Sequence, residues 1–284
     1  MKKCFFLIIF IVAVVSGNAQ ETFKSLNEKG QKEVDSQNFQ KALVYYDKAL
    51  AIGSEDKSKV IWTASVSSMC ATQLKDEELA MKYNNIAINN GSTDIFLIDQ
   101  QLKLAKKYKD YKTTEQVLLA ARNIEGKYEK YTIKLLYFYF NNKRYPETIV
   151  TADEILSLKP EHPKSLYFKG VALSKTKKED EALELFNNIL SREPDNAKVN
   201  MQIGFIYFNM ASAVFDRANE NYKRLVKPTH VDYKNYKQEI RKTIPDYKAC
   251  IPYLEKYGEG AFKKNVINAI NLSKSRLKQM KVKN

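Results

Sequence analysis

The chain has 284 residues with 47 Lys and Arg against 33 Asp and Glu, but only two histidines and three cysteines. That is length enough for an extended core, with few of the side chains that build metal or nucleophilic centres. The formal charge of +14 is uneven: residues 20–220 hold 29 basic and 28 acidic side chains, whereas residues 221–284 hold 16 and 5. A basic surface serves solubility or an acidic partner such as anionic lipid or an acidic protein segment.

Lys2 and Lys3 precede an unbroken apolar run from Cys4 to Val15, followed by Ser16, Gly17, Asn18 and Ala19. This is the three-part layout of a secretory signal with small residues at the cleavage position. The run would reach only about 18 Å as a helix, against roughly 30 Å of bilayer hydrocarbon, so a permanent anchor is the weaker reading. Cys4 precedes the run instead of following it, unlike the cysteine of a lipoprotein signal. The expectation for residues 1–19 is a signal peptide cleaved near Ala19, leaving an exported chain that is periplasmic or associated with the cell envelope. Export argues against nucleic acid as a partner. Cys70 and Cys250, far apart in a linear stack of units, are expected as buried free thiols, since a disulfide needs Cα atoms within about 7 Å.

From Phe23 onward, pairs of helical patterns recur. Ala87, Ala121, Ile155 and Ile189 fall 34 residues apart, as do Pro160 and Pro194. A fixed period of that size means stacked units. In the first unit, Gly30 is followed by Ala42, Tyr46 and Ala49, the last three sharing one helical face. The second, with Ser68, Ala80, Asn84 and Ala87, starts 38 residues later and is expected to carry a loop insertion near Glu55 to Lys59. The third has Leu102, Leu118 and Ala121. The fourth, about Glu129 to His162, has Leu136, Tyr145, Ala152, Ile155 and Pro160. The fifth, Pro163 to Asn196, is the clearest, with Leu166, Gly170, Ala182, Phe186, Ile189 and Pro194.

These residues and spacings resemble the tetratricopeptide repeat (TPR) family, in which a small residue lets two helices cross closely beside a larger one. The resemblance covers roughly residues 23 to 260, with a composition similar to exported TPR proteins of Bacteroidetes-like bacteria. It implies an all-α fold: a right-handed α-solenoid of antiparallel helix pairs, a TPR superhelix of about six repeats over residues 20–260.

A sixth unit begins near Ala197 with Gly204 and Tyr207, but its second-helix pattern, Tyr247, Cys250, Leu254 and Tyr257, comes late. The intervening residues are strongly polar, and polar residues do not stack a solenoid. The simplest expectation is a long helical-hairpin insertion in the last repeat, about residues 212–244, with a break at Pro228 and a kink or restart at Pro245. A basic helix over 261–284, with Phe262, Val266, Ile270 and Leu277 on its apolar side, is expected as a cap, and its lysines equally suit a membrane surface.

No catalytic residues, metal ligands or cofactors are expected. His162 and His230 each lie in a turn without a partner at ligand spacing, and no glycine-rich phosphate loop is present. In the TPR family the first helix of each pair lines the concave groove. That orientation implies a partner-binding surface of Lys130, Tyr137, Phe140 and Asn141, then Lys164, Tyr167, Phe168 and Lys175, then Lys198, Phe205, Phe208 and Asn209. The rings would supply contact area and the lysines selectivity for negative charge, although Tyr and Phe at these spacings also suit packing between repeats. The lysine and asparagine clamp with which one TPR subgroup holds chaperone tails is missing, because the first unit has Asn27 and Gln31 at those places. The implied function is a non-enzymatic adaptor or scaffold of the bacterial cell envelope that binds a peptide or acidic protein segment. The alternative is a surface-targeting module that binds anionic lipid or polysaccharide through its basic C-terminal region.

Overall fold

The computed structural model describes residues 21–280, so the expected signal peptide lies outside the described residues. Among those residues the fold is all-α, and it forms two compact units that divide between Ile124 and Glu125. The first unit holds three helix pairs: α1 (Phe23–Asp35) with α2 (Phe39–Ile52), α3 (Lys57–Gln73) with α4 (Glu77–Asn89), and α5 (Ile95–Lys107) with α6 (Tyr111–Arg122). The second holds α7 (Tyr128–Asn141) with α8 (Tyr145–Leu158) and α9 (Pro163–Lys175) with α10 (Glu179–Arg192). It continues with α11 (Ala197–Lys223), α12 (His230–Arg241), α13 (Ile244–Glu255) and α14 (Lys263–Gln279).

Several helix starts are fixed by a local cap. Thr22 and Ser25 form a reciprocal capping box on α1, and Asp56, Asp76, Asp94 and Asp110 each accept a backbone N–H at the start of α3 to α6. Such caps satisfy donors that the helix itself leaves unpaired. Of the expected loop insertion near Glu55 to Lys59, only Glu55 and Asp56 lie in the connection, and Lys57 to Lys59 are helical. Capped by Asp56, the extra residues extend α3 to 17 residues, against 13 in α1.

The turns inside the first five pairs are the same turn. Each has three residues, and the middle one, Gln37, Lys75, Lys109, Lys143 or Lys177, takes a left-handed backbone with φ between 56° and 61°. The residue after it donates its N–H five residues back, as in Asn38 to Glu33 O at 2.8 Å and Lys178 to Leu173 O at 3.0 Å. This is the bond that closes a Schellman motif, and it reverses the chain while satisfying a terminal carbonyl.

Packing inside the first, second, fourth and fifth pairs centres on two residues 16 apart. A Cβ on Gly30 would lie 2.6 Å from Tyr46, and one on Gly170 would lie 2.6 Å from Phe186, so the rings occupy the space a side chain would take. In the second pair the same two places hold Ser68 and Asn84, joined by a buried hydrogen bond of 2.6 Å. Asn84 then donates to Gln100 Oε1 at 3.1 Å, and Gln100 donates to Thr72 Oγ1 at 3.0 Å. In the fourth the sizes are exchanged, with Leu136 on the first helix packed in one cluster with Ala152 and Ile155.

The sixth unit departs from this scheme. Ala211, at the period of the left-handed residues, is fully buried inside α11, which runs on for 27 residues or about 40 Å. Its natural partner is α13. A Cβ on Gly204 would lie 2.6 Å from Leu254 Cγ and 3.2 Å from the Cys250 carbonyl. Between them α12 folds back along the extension of α11, its Tyr236 stacked on Tyr222 at 4.8 Å and its Ile240 buried at the base. Pro245 falls in the first turn of α13, where its missing N–H costs nothing. Helix α14 closes the unit through Val266, Ala269, Ser273 and Leu277, whereas Phe262, expected on its apolar side, is half exposed.

Cys70 and Cys250 are free, buried thiols. Burial pushes the Cys70 thiol up to about 11 and raises that of Cys250, which also contacts Ser273 Oγ at 3.2 Å. Neither is a reactive thiolate at neutral pH.

Candidate partner-binding surface

The first helices of successive pairs in the second unit bring aromatic side chains together. Phe168 of α9 meets Tyr137 edge-on at 5.2 Å and Phe140 at 4.3 Å, both from α7. Tyr167 packs between Phe168 at 5.8 Å and Phe186 at 6.3 Å, and its hydroxyl accepts a hydrogen bond from Gln202 of α11 at 3.2 Å. Burial raises the Tyr167 pKa, so the phenol stays neutral. Lys164 lies over the Tyr137 ring at 5.5 Å, a cation–π contact that holds the ammonium at the rim.

Tyr137, Tyr167, Phe168, Lys164 and Lys198 line one open pocket of about 390 Å³, with Glu193 as its only carboxylate. Glu193 already accepts from Asn196 Nδ2 at 2.7 Å. The pocket therefore offers ring faces and two ammonium groups to an occupant.

The other expected residues do not join it. Phe205 packs with Met201, Cys250, Leu254, Val266 and Ala269, and Phe208 packs against Tyr247 at 6.3 Å. Both are turned inward because the delayed α13 and the closing α14 cover the face of α11 that would otherwise be open. Lys130 lies over the neighbouring Tyr131 ring at 4.8 Å. Asn141, Lys175 and Asn209 are exposed outside the pocket.

A second pocket, in the first unit, lies outside the expected partner-binding residues. Phe23, Asn27 and Gln31 of α1 face Ser58, Lys59 and Trp62 of α3 across a groove of about 790 Å³. Trp62 is the only tryptophan and is 46% exposed, with its ring edge-on to Tyr46 at 6.2 Å. Asn27 is fixed on both sides, donating to Phe23 O at 2.8 Å and accepting from Thr63 Oγ1 at 2.7 Å. The lone tryptophan on a first helix is the mark of this groove in the sequence.

Among the described residues, no group of three or more His, Cys, Asp or Glu side chains is placed to hold a metal ion. No described helix is long and apolar enough to cross a membrane. His162 caps α9: its Nδ1 accepts from Ser165 N at 3.3 Å, and burial lowers its pKa.

A small or size-matched residue at the helix crossing, its partner 16 residues on, and a recurring left-handed turn together decide the fold. The fold is that of a tetratricopeptide-repeat protein. No protein-family profile and no curated protein matches the chain. Solved structures are similar at low identity. A protein from Bacteroides ovatus ATCC 8483 has 18% identity and a TM-score of 0.48, with 80% of this chain and 100% of that one covered. A tetratricopeptide repeat protein from Parabacteroides merdae ATCC 43184 has 13% identity and a TM-score of 0.38, with 89% and 98% covered. YrrB, a TPR protein with an unusual peptide-binding site, has 16% identity and a TM-score of 0.35, with 64% and 97% covered. In this TPR fold both pockets are bordered by first helices of pairs.

Proposed function

We propose that the chain is a non-enzymatic adaptor of a bacterial cell envelope that binds an extended, acidic segment of a partner protein along the first helices of its pairs. The observation that carries this reading is the pocket in which Tyr137, Tyr167 and Phe168 lie beside Lys164 and Lys198. Rings already held by their neighbours lose little rotamer entropy on binding, and two ammonium groups at the rim favour negative charge. The apolar leader of the sequence supports an exported location.

A displayed library of unstructured peptides tests the reading. Selection should enrich sequences with an aromatic or aliphatic residue near Asp or Glu. Tyr137→Ala combined with Lys164→Glu should then weaken the selected peptides by about tenfold or more. No enrichment, or enriched peptides indifferent to both substitutions, would remove this pocket from the function.

A further inference from the structure

The connection between α11 and α12, residues 224 to 229, differs in kind from the other turns of the chain. The connection and the first turn of α12 present apolar side chains to solvent: Val226 is 94% exposed, Val231 63% and Leu225 43%. Single exposed apolar residues are ordinary. Three within seven residues, at the end of a helical hairpin, form a small patch that folding leaves uncovered.

The surroundings of that patch are basic. Lys223, Arg224, Lys227 and Lys234 flank it, and the one carboxylate among residues 223–234 is Asp232. Asp232 is engaged in the α12 capping box, accepting from Thr229 N at 2.8 Å and Thr229 Oγ1 at 2.7 Å, and these bonds hold its carboxyl below the usual carboxylate range. Arg224 has only a loose contact with Glu220 at 3.8 Å. Behind the tip, Tyr222, Tyr233 and Tyr236 pack on one another with centroids 4.8 to 6.3 Å apart, and the Tyr236 hydroxyl donates to Asn219 at 2.6 Å. The two arms are thereby held together up to their ends.

We propose that this hairpin tip docks on an anionic lipid bilayer. Leu225, Val226 and Val231 enter the headgroup layer while Lys223, Arg224, Lys227 and Lys234 contact lipid phosphates. An apolar end ringed by basic side chains matches hydrocarbon lying beneath a layer of lipid phosphates, and the tyrosines behind it hold the two arms together. An acidic polysaccharide would satisfy the charges but offers no hydrocarbon for Val226. Neither the apolar patch nor the charge suffices alone; together they make the pair of weak signals that stable surface binding requires. The inference does not depend on the peptide-binding reading, which concerns a different set of residues.

The test uses the full chain in a Cys4→Ser background, with Val226→Cys carrying an environment-sensitive dye, because Cys70 and Cys250 are buried. A dye at the tip reports its local environment and is insensitive to the apolar leader. Phosphatidylcholine vesicles containing phosphatidylglycerol should shift the dye emission to the blue, and vesicles of phosphatidylcholine alone should not. Each removed charge should weaken the response about fivefold, so Lys223→Glu, Lys227→Glu and Lys234→Glu together should weaken it about a hundredfold or more. Reversal of three exposed lysines elsewhere, Lys32, Lys57 and Lys112, should leave it within about twofold. Leu225→Asn with Val231→Asn should also abolish the shift. An equal loss in the control reversal would reduce the effect to net charge, and no shift with anionic vesicles would overturn the proposal. Vesicle binding that leaves the dye emission unshifted would overturn it equally, because the tip would then not have entered the bilayer.

Discussion

Five helix pairs reverse the chain within three residues, around Gln37, Lys75, Lys109, Lys143 and Lys177, while at the matching place in the sixth Ala211 continues a helix. The two outcomes differ in what surrounds the position. In the five pairs the left-handed residue is a solvated Gln or Lys next to a polar residue that closes the turn. In the sixth, Ala211 belongs to a cluster with Phe215, Ile240, Tyr247, Leu277 and Met280. The helix therefore continues because its next turns have an apolar face to bury against α12 to α14. Tertiary burial, more than local propensity, decides where a repeat ends.

Placing a lysine at the sixth position is the harshest way to break that comparison. Ala211→Lys should bury an unpaired ammonium and cost on the order of 3 kcal/mol or more in denaturant unfolding, without creating a turn. A tolerated substitution would mean the sixth pair can turn as the others do.

Next in size is the crossing of the fifth pair. With Phe186 already within 2.6 Å of where a Cβ would sit, Gly170→Leu should cost about 3 kcal/mol by overpacking. Adding Phe186→Ala reproduces the Leu136 and Ala152 arrangement of the fourth pair and should recover more than half of that loss in a double-mutant cycle. Additive losses would show that the two positions do not share one space. Ser68→Ala in the second pair removes the donor to Asn84 Oδ1 and should cost about 1–3 kcal/mol.

Glycine gives a pair of opposite signs. Lys109→Gly relieves a left-handed residue with a side chain and should be neutral or stabilising by up to about 1 kcal/mol. Ala213→Gly, exposed within α11, should cost about 1 kcal/mol. Equal effects would mean that the turns carry no left-handed strain.

The smallest effect concerns His162. Its pKa is lowered in the fold by burial, so the unfolded chain binds more protons as pH falls through the ordinary histidine range. Its contribution is complete above that range and is lost toward lower pH, where a protonated ring can no longer accept from Ser165 N. The unfolding midpoint should therefore drop between about pH 7.5 and pH 5.5 more in the native chain than in His162→Asn, whose amide caps without titrating. Identical slopes would exclude the cap as the cause.

The helix pairs were legible because Gly30 with Tyr46 and Gly170 with Phe186 sit at spacings that only a close helix crossing explains. The delayed α13 was legible as a pattern out of phase. What sequence could not supply was the orientation of α11, where Phe205 follows the same spacing as Tyr137 yet packs inward, as Phe208 and Phe140 also do. That difference comes from α13 and α14, which cover α11; α14 lies some 60 residues away in the chain, and its Arg276 reaches the extension of α11. Its guanidinium contacts Asp216 at 2.7 Å and Ser212 at 3.0 Å and lies 4.5 Å over the Phe215 ring. A residue counted as surface charge is in fact a clasp, only 12% exposed. The Trp62 groove was missed for the opposite reason: its residues belong to no charged clamp, and its shape arises only when α1 and α3 lie side by side.

The residues at the helix crossings also bear on how such a chain avoids assembling wrongly. A protein built of near-copies is exposed to exchange between them, in which a helix docks on the partner of its neighbour or on the equivalent helix of another molecule. Here the crossings are filled by Gly with Tyr, Ser with Asn, Leu with Ala, Gly with Phe and Gly with Leu. The first pair differs from the second, the fourth from the fifth and the fifth from the sixth: Tyr46 set against Ser68, or Phe186 against Leu136, would clash or strand a hydroxyl. The two most alike, Gly30 with Tyr46 and Gly170 with Phe186, belong to the first and the fifth pair in chain order. Variation that blurs the repeat to a sequence profile thus works as a set of keys, each admitting one helix and turning away the copy beside it.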